Sequence, residues 1–211
     1  MHLDHIFILV SPGAPEADAL LDIGLVEGTS NEHPGQGTAN RRFFLENTTI
    51  EFLYIKDIAQ AVNGAGKELK LVERAIDIDS SPFGLVTRVS PGIDIPGFPS
   101  WRYFPDYFPK PMCFYVGENS HNFSEPLCIC MPPALPTPKK APEPNNSGWS
   151  LTELQISIPG IGATTALNAF GECELVTIRY NEDHRVKLVL NNAKTGEYRN
   201  FMPDLPLIIE W

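Results

Sequence analysis

Four side chains in the sequence, one imidazole and three carboxylates, are of the types that bind a divalent ion or move a proton. They are His5, Glu51, Glu153 and Glu210. Glu51 and Glu210 each stand in a strand-like apolar run, where a charged group costs free energy unless something pairs with it. If the segments that carry the four side chains face one another, the side chains converge on a single divalent ion.

Strand alternation assigns each of these residues to one face of its strand. It places Leu3, His5, Phe7 and Leu9 on one face of the first strand, and Thr49, Glu51, Leu53 and Ile55 on one face of another. In the later part of the chain it groups Leu151, Glu153, Gln155 and Ser157, and it pairs Ile208 with Glu210. In both parts of the chain, the first strand thus carries a polar residue and the last strand carries a glutamate.

The elements that position these residues form two similar units. In residues 1–58 a strand, a helix that ends at Gly24 and two or three further strands follow one another, and residues 149–211 repeat this order with a helix that ends at Gly171. The sequence therefore predicts an internal duplication into two βαβββ modules.

Between the two modules lie an insertion and a linker. Residues 59–131 are interpreted as an insertion with additional strands and an aromatic, proline-rich loop, and residues 132–148 as an extended linker. In the alternative interpretation, the second half of the site comes from the strands around Leu85 to Val116. Glu153 and Glu210 would then not belong to the site.

Composition excludes several classes of protein. The 211 residues are 43% hydrophobic and carry a net charge of -10, which predicts a folded core and disfavours nucleic acid as a partner. Apolar runs are far shorter than the roughly 20 residues of a membrane span, so no membrane contact is predicted. With no signal-peptide pattern, we expect a cytoplasmic protein whose four cysteines are reduced.

Three segments carry a resemblance to a known family: Leu3 to Ile6, His33 to Asn40 and Ile50 to Leu53. They resemble the glyoxalase-like members of the vicinal oxygen chelate superfamily, which includes glyoxalases, bleomycin-resistance proteins and extradiol dioxygenases. The resemblance covers residues 1–55 and, more weakly, 151–211. It implies an α+β fold in which paired βαβββ modules form a cup-like curved sheet, and a divalent metal that chelates neighbouring substrate oxygens.

Carried over by position, His5 and Glu51 match the first-strand and last-strand ligands of the first module, and Glu210 matches the last-strand ligand of the second. Glu153 stands where a histidine is more usual. Three carboxylates and one imidazole favour manganese, iron or magnesium over zinc, with nickel also considered and a metal-free site left open. Glu51 or Glu210 would act as the general base.

Four further residues are candidates for substrate binding: Thr38, Asn40, Arg41 and Trp101. An arginine at the rim of a pocket can clamp a carboxylate with two hydrogen bonds, although Arg41 also suits a solvated turn. Trp101 suits an aromatic wall, and equally a core position or a dimer contact.

The leading functional hypothesis is a metal-dependent enzyme, of lyase or isomerase type or dioxygenase-like, acting on a small oxygenated organic molecule. The alternative is a metal-free protein of the same fold that binds and sequesters a small molecule. A third interpretation is an inactive family member used for dimerisation, so a homodimer is an open alternative.

Overall fold

Strands dominate the computed structural model, which describes residues 1–90, 93, 95–131 and 145–211. The first eight strands are β1 His2–Leu9, β2 Glu32–His33, β3 Thr38–Phe44, β4 Thr49–Ile55, β5 Phe83–Arg88, β6 Ser100–Tyr103, β7 Phe114–Gly117 and β8 Leu127–Met131. The next five are β9 Leu151–Pro159, β10 Val176–Asn181, β11 Arg185–Leu190, β12 Tyr198–Asn200 and β13 Leu207–Glu210. Most of the predicted linker, residues 132–144, lies outside the described residues.

The helices are short and lie in the connections between strands. They are α1 Asp18–Asp22, α2 Ile58–Asn63, α3 Leu71–Ile76 and α4 Thr165–Gly171, with 3-10 turns at Pro15–Ala17, Lys67–Leu69, Glu118–His121 and Asn191–Ala193. The Thr164 hydroxyl caps α4 by accepting a hydrogen bond from the Leu167 N–H, and the Asp57 carboxylate caps α2 in the same way through Gln60. Within the described residues, no helix combines the length and apolar character that crossing a bilayer requires.

Strands β1 to β8 form one curled sheet in the order β2-β3-β4-β1-β5-β8-β7-β6. Strand β1 pairs with β4 in parallel and with β5 antiparallel, and β5 pairs with β8 in parallel. The order of β5 to β8 therefore mirrors that of β1 to β4. The predicted α+β class, with paired units in a cup-like sheet, is confirmed.

The origin of the second half of the cup differs from the prediction for residues 59–131. This segment is not an insertion outside the sheet, because it supplies all four strands β5 to β8. Residues 151–210 instead form a separate five-stranded sheet in the order β10-β9-β11-β13-β12. In that sheet the first strand pairs in parallel with β10, which directly follows the helix, whereas β1 pairs in parallel with the last strand of its unit.

The main core lies between the two sheets. It contains Ile6, Ile8, Phe43 and Phe52 from the first sheet together with Leu154, Ile156, Leu188 and Ile209 from the second. The rings of Phe43 and Phe52 meet edge to face at 6.0 Å, and neither side chain is exposed. A smaller apolar cluster, which includes Phe7, Leu53 and Leu127, lies on the concave face of the first sheet. The second sheet therefore covers the convex face and leaves the concave face to form a cavity.

We expect Phe52→Ala to lower the free energy of unfolding by about 3–5 kcal/mol, because truncation leaves a cavity between the sheets. Phe104→Ala, at a residue that is 45% exposed, serves as the matched control and is expected to cost about 1 kcal/mol or less. Urea denaturation followed by circular dichroism measures both values. Equal losses in the two variants would contradict the proposed packing of the sheets.

Candidate active site in the cup

The concave face of the eight-stranded sheet encloses a cavity of about 830 Å³. One side, the polar wall, is formed by Asp4, His5, Asn40 and Glu51. The adjoining part of the surface, the apolar half, is formed by Val86, Phe114, Leu127 and Ile129. The second unit of the sheet thus supplies this hydrocarbon together with Arg88 and Tyr103, whereas the imidazole and the carboxylates of the polar wall come from the first unit.

A β-bulge at Asp4 sets the polar wall. Along β1 the partner of Leu3 on β5 is Thr87 and the partner of His5 is Val86, so Asp4 is an extra residue. The bulge reverses the alternation that the sequence predicts. Leu3 joins the core between the sheets, while Asp4 and His5 both line the cup. Neighbouring residues that a regular strand would separate are therefore on the same side.

Glu51 and His5 are in contact within this wall. Glu51 lies on β4, is 7% exposed, and places its Oε2 atom 3.5 Å from Nε2 of His5. The other carboxylate oxygen, Oε1, accepts a hydrogen bond of 2.6 Å from the side-chain amide of Asn40. One oxygen of Glu51 is thus fixed, and the other faces the imidazole and the cavity.

Asp4 fixes the orientation of the imidazole. Its Oδ1 atom lies 2.7 Å from Nδ1 of His5, and its Oδ2 atom accepts a hydrogen bond from Nε of Arg88. Burial alone would lower the pKa of His5, but the hydrogen bond to Asp4 and the charge of Glu51 outweigh it and raise that pKa above 6.5. Burial would raise the pKa of Asp4, yet its hydrogen bond to His5 and the charges of His5 and Arg88 lower it to about 2.

A second polar cluster connects the two units of the cup. The Gln36 amide donates to the Thr38 hydroxyl at 2.9 Å, and its oxygen accepts hydrogen bonds from the hydroxyls of Tyr103 and Tyr107, each at 3.1 Å. Nδ1 of His33 also lies 2.9 Å from the Thr38 hydroxyl. Burial, and then the charges of Arg42 and His5, lower the pKa of His33 despite the opposing charge of Glu51.

The structure brings together only part of the predicted metal-ligand set. Glu153 on β9 and Glu210 on β13 flank Val189 in the five-stranded sheet, away from the cup. The Glu153 carboxylate accepts a hydrogen bond of 2.9 Å from Gln155, and Glu210 pairs with Lys187 at 2.8 Å. A bulge at Thr152 also turns Leu151 into the core, so Leu151 does not share the face of Glu153.

The donors therefore do not fit the four-ligand ion that the resemblance implies. Across residues 1–90, 93, 95–131 and 145–211, no three His, Cys, Asp or Glu side chains lie close enough to hold one ion. Of the four predicted ligands, His5 and Glu51 lie in the cup, and the neighbouring Asp4 is engaged by His5 and Arg88. Two protein donors fall short of the three or four of ordinary metal sites.

Only some of the predicted substrate-binding residues lie at the cup. Asn40 lines the cup, and Thr38 lies beside it and holds His33 and Gln36. Arg41 alternates to the other face of β3, where it binds Glu27 and Asp18. Trp101 donates a hydrogen bond of 3.1 Å to Ser120 and packs against the apolar cluster without lining the cavity.

Sequence patterns missed several residues of the cup. They are Asp4, Gln36, Arg88 and Tyr107. Asp4 is adjacent to the predicted His5, but only a bulge places both side chains on one face. Gln36 and Tyr107 come from loops, for which strand periodicity gives no signal.

Comparison with known proteins supports the fold without naming a family. No protein-family model and no curated protein matches the chain. The crystal structure of a hypothetical protein from Staphylococcus aureus is similar, with a TM-score of 0.59 and 7% identity over 99% of this chain and 98% of that one. Methylmalonyl-CoA epimerase from Mycobacterium tuberculosis gives a TM-score of 0.39 and 13% identity, over 64% of this chain and 89% of that one. The first likeness shows a shared fold alone, and the second is too distant to add to it.

We expect Asp4→Asn to lower the pKa of His5, because the substitution removes the carboxylate charge from Nδ1. In the unmodified protein the raised pKa contributes stability that is present below pH 6.5 and is lost as pH rises through the folded-state pKa. The variant should lose less stability over that interval. Titration of the imidazole protons by NMR, with denaturation at several pH values, measures both effects, and an unchanged His5 titration would contradict the assignment.

Proposed function

We propose that the protein is an enzyme of isomerase or lyase type, in which Glu51 and His5 move a proton on a small oxygenated organic molecule. The observation that carries this proposal is the 3.5 Å approach of Glu51 Oε2 to His5 Nε2 inside the cup. Each group has its other polar atom engaged, by Asn40 and by Asp4. The two atoms that remain are those of an oriented acid and base.

The arrangement suits removal of a proton next to a carbonyl group. Oε2 of Glu51 takes the proton from carbon, and the electron pair of the broken C–H bond forms the C=C bond of an enolate. The raised pKa of His5 favours the imidazolium, whose Nε2–H donates a hydrogen bond to the enolate oxygen. With a 2-hydroxycarbonyl substrate, His5 gives its Nε2 proton to the enolate oxygen and then takes the proton of the neighbouring hydroxyl, while Glu51 delivers its proton to the former carbonyl carbon, which gives the isomer. Alternatively, a leaving group departs with its bonding electrons from the carbon on the other side of the deprotonated one, which restores the carbonyl group and gives the lyase product.

The apolar half of the cup indicates the kind of molecule that fits. Val86, Leu127 and Ile129 present hydrocarbon beside the polar wall. A substrate with an oxygenated end toward Glu51 and His5 and an apolar remainder would satisfy both sides. The resemblance to glyoxalase-like proteins agrees with a small oxygenated substrate. The reaction proposed here uses only side chains of this protein.

A second candidate function is metal-free binding and sequestration of a small molecule in the same cup. The observation that favours it is the continuous hydrocarbon surface that Val86, Phe114, Leu127 and Ile129 present to the cavity. A binding protein would hold its ligand without exchanging carbon-bound protons. It would also keep its affinity when Glu51 is replaced by glutamine.

We expect the protein to exchange protons next to the carbonyl group of its substrates with solvent deuterium, and Glu51→Gln to slow that exchange by about 10²–10⁴-fold. Proton NMR in deuterium oxide, over a panel of small 2-oxo and 2-hydroxycarbonyl compounds, measures the rate. Glu210→Gln makes the same chemical change outside the cup and should leave the rate intact. Exchange that survives Glu51→Gln would refute the proposed base, and binding without exchange would favour the second candidate.

Metal titration tests separately whether Glu153 and Glu210, which lie outside the cup, bind a metal ion. We expect Glu153→Gln and Glu210→Gln to leave any uptake of manganese, zinc, iron or nickel unchanged, because both carboxylates lie in the other sheet. Calorimetry and elemental analysis of the dialysed protein give the stoichiometry and affinity. Loss of a tightly held ion in either variant would show that the two sheets share a metal site after all.

A further inference from the structure

The outer face of the five-stranded sheet carries a second cavity, of about 400 Å³. Its residues are far along the chain from those of the cup, and its lining includes three cations, Arg179, Arg185 and Lys187. Among the described residues that line it, none is acidic. Carboxylates outside the lining pair with two of the cations, Arg185 with Asp183 and Lys187 with Glu210.

The register of the strands places two arginines in one row. Ser157 on β9 pairs with Arg179 on β10 and with Arg185 on β11. Directly paired residues point to the same face, with Cβ atoms about 5 Å apart. The inward neighbours Ile156 and Val186 are fully buried, so this row lies on the outer face. Lys187 follows in the adjacent row, paired with Gln155.

The hydrogen bonding of Arg185 is incomplete. One terminal nitrogen of its guanidinium donates to Asp183 at 2.8 Å, while Nε is buried and has no partner among the described residues. A buried donor without an acceptor costs free energy of desolvation. Arg179 makes no ion pair with any carboxylate in the described part of the chain. An oxyanion between the arginines would give Nε its acceptor and would relieve the repulsion between like charges.

We propose that this face binds the phosphate group of a small soluble molecule between Arg179 and Arg185, with the Ser157 hydroxyl beneath it. A dianionic phosphate matches two guanidinium groups and a neighbouring ammonium better than a single carboxylate does. The concave shape and the volume suit a phosphate monoester. This site is independent of the reaction proposed for the cup.

Calorimetric titration with inorganic phosphate, phenyl phosphate and acetate tests the proposal on the full chain. Phosphate and phenyl phosphate should bind, acetate should bind much more weakly, and affinity should fall as salt is raised. Arg179→Gln and Arg185→Gln should each weaken binding about tenfold. Arg199→Gln, on strand β12 at the opposite edge of the same sheet, is the matched control and should leave the affinity unchanged.

Two further measurements test phosphate binding at the same site. The ¹⁵N resonance of Arg185 Nε should shift during the phosphate titration of the unmodified protein, which does not depend on whether a variant folds. Glu210→Gln releases Lys187 from its ion pair and should tighten binding. Phosphate binding no stronger than acetate binding, equal losses in Arg199→Gln, or binding only to vesicles that contain phosphatidic acid would each overturn the proposal.

Discussion

The carboxylate of Glu51, buried in the wall of the cup, constrains the polar side of the site. A charge held away from water is tolerated when its lone pairs are satisfied and an opposite charge lies close by. Asn40 and His5 meet these needs, His5 in turn requires Asp4, and Asp4 is held by Arg88. Four strands, β1, β3, β4 and β5, and a bulge are therefore committed to one acidic group. Such a commitment is typical of a site that uses the charge for chemistry.

The two units of the cup share their strand order but differ in chemistry. The first supplies an imidazole, carboxylates and amides, whereas the second supplies mostly apolar side chains, such as Val86, Leu127 and Ile129, together with Arg88 and Tyr103. The symmetry of the sheet gives the cavity its concave shape. The difference between the units makes one part of the cavity polar and the other apolar. A ligand with one polar end has a single favourable orientation in such a cavity.

Strand alternation alone places His5 and Glu51 on the cup side, because a period of two survives wherever a strand is regular. It misplaces Leu3 and Leu151, since the bulges at Asp4 and Thr152 each shift the alternation by one residue. The sequence also shows strand and helix patterns in residues 149–211 without showing how the strands pair. The pairing depends on contacts between residues that are far apart in the sequence, and it places Glu153 and Glu210 outside the cup. Arg41 lies outside the cup for a simpler reason, because on β3 its side chain points to the other face of the sheet.

Strand β1 lies at the junction of the two halves of the curled sheet, with β4 on one side and β5 on the other. The ladder between β1 and β5 therefore joins the two units, and it includes the irregular pairing at Asp4. His5 and Glu51 lie together on one side of this junction, on adjacent strands that pair in parallel. The contact between the imidazole and the carboxylate is thus held within one unit of the sheet, whereas the apolar half of the cavity comes from the other.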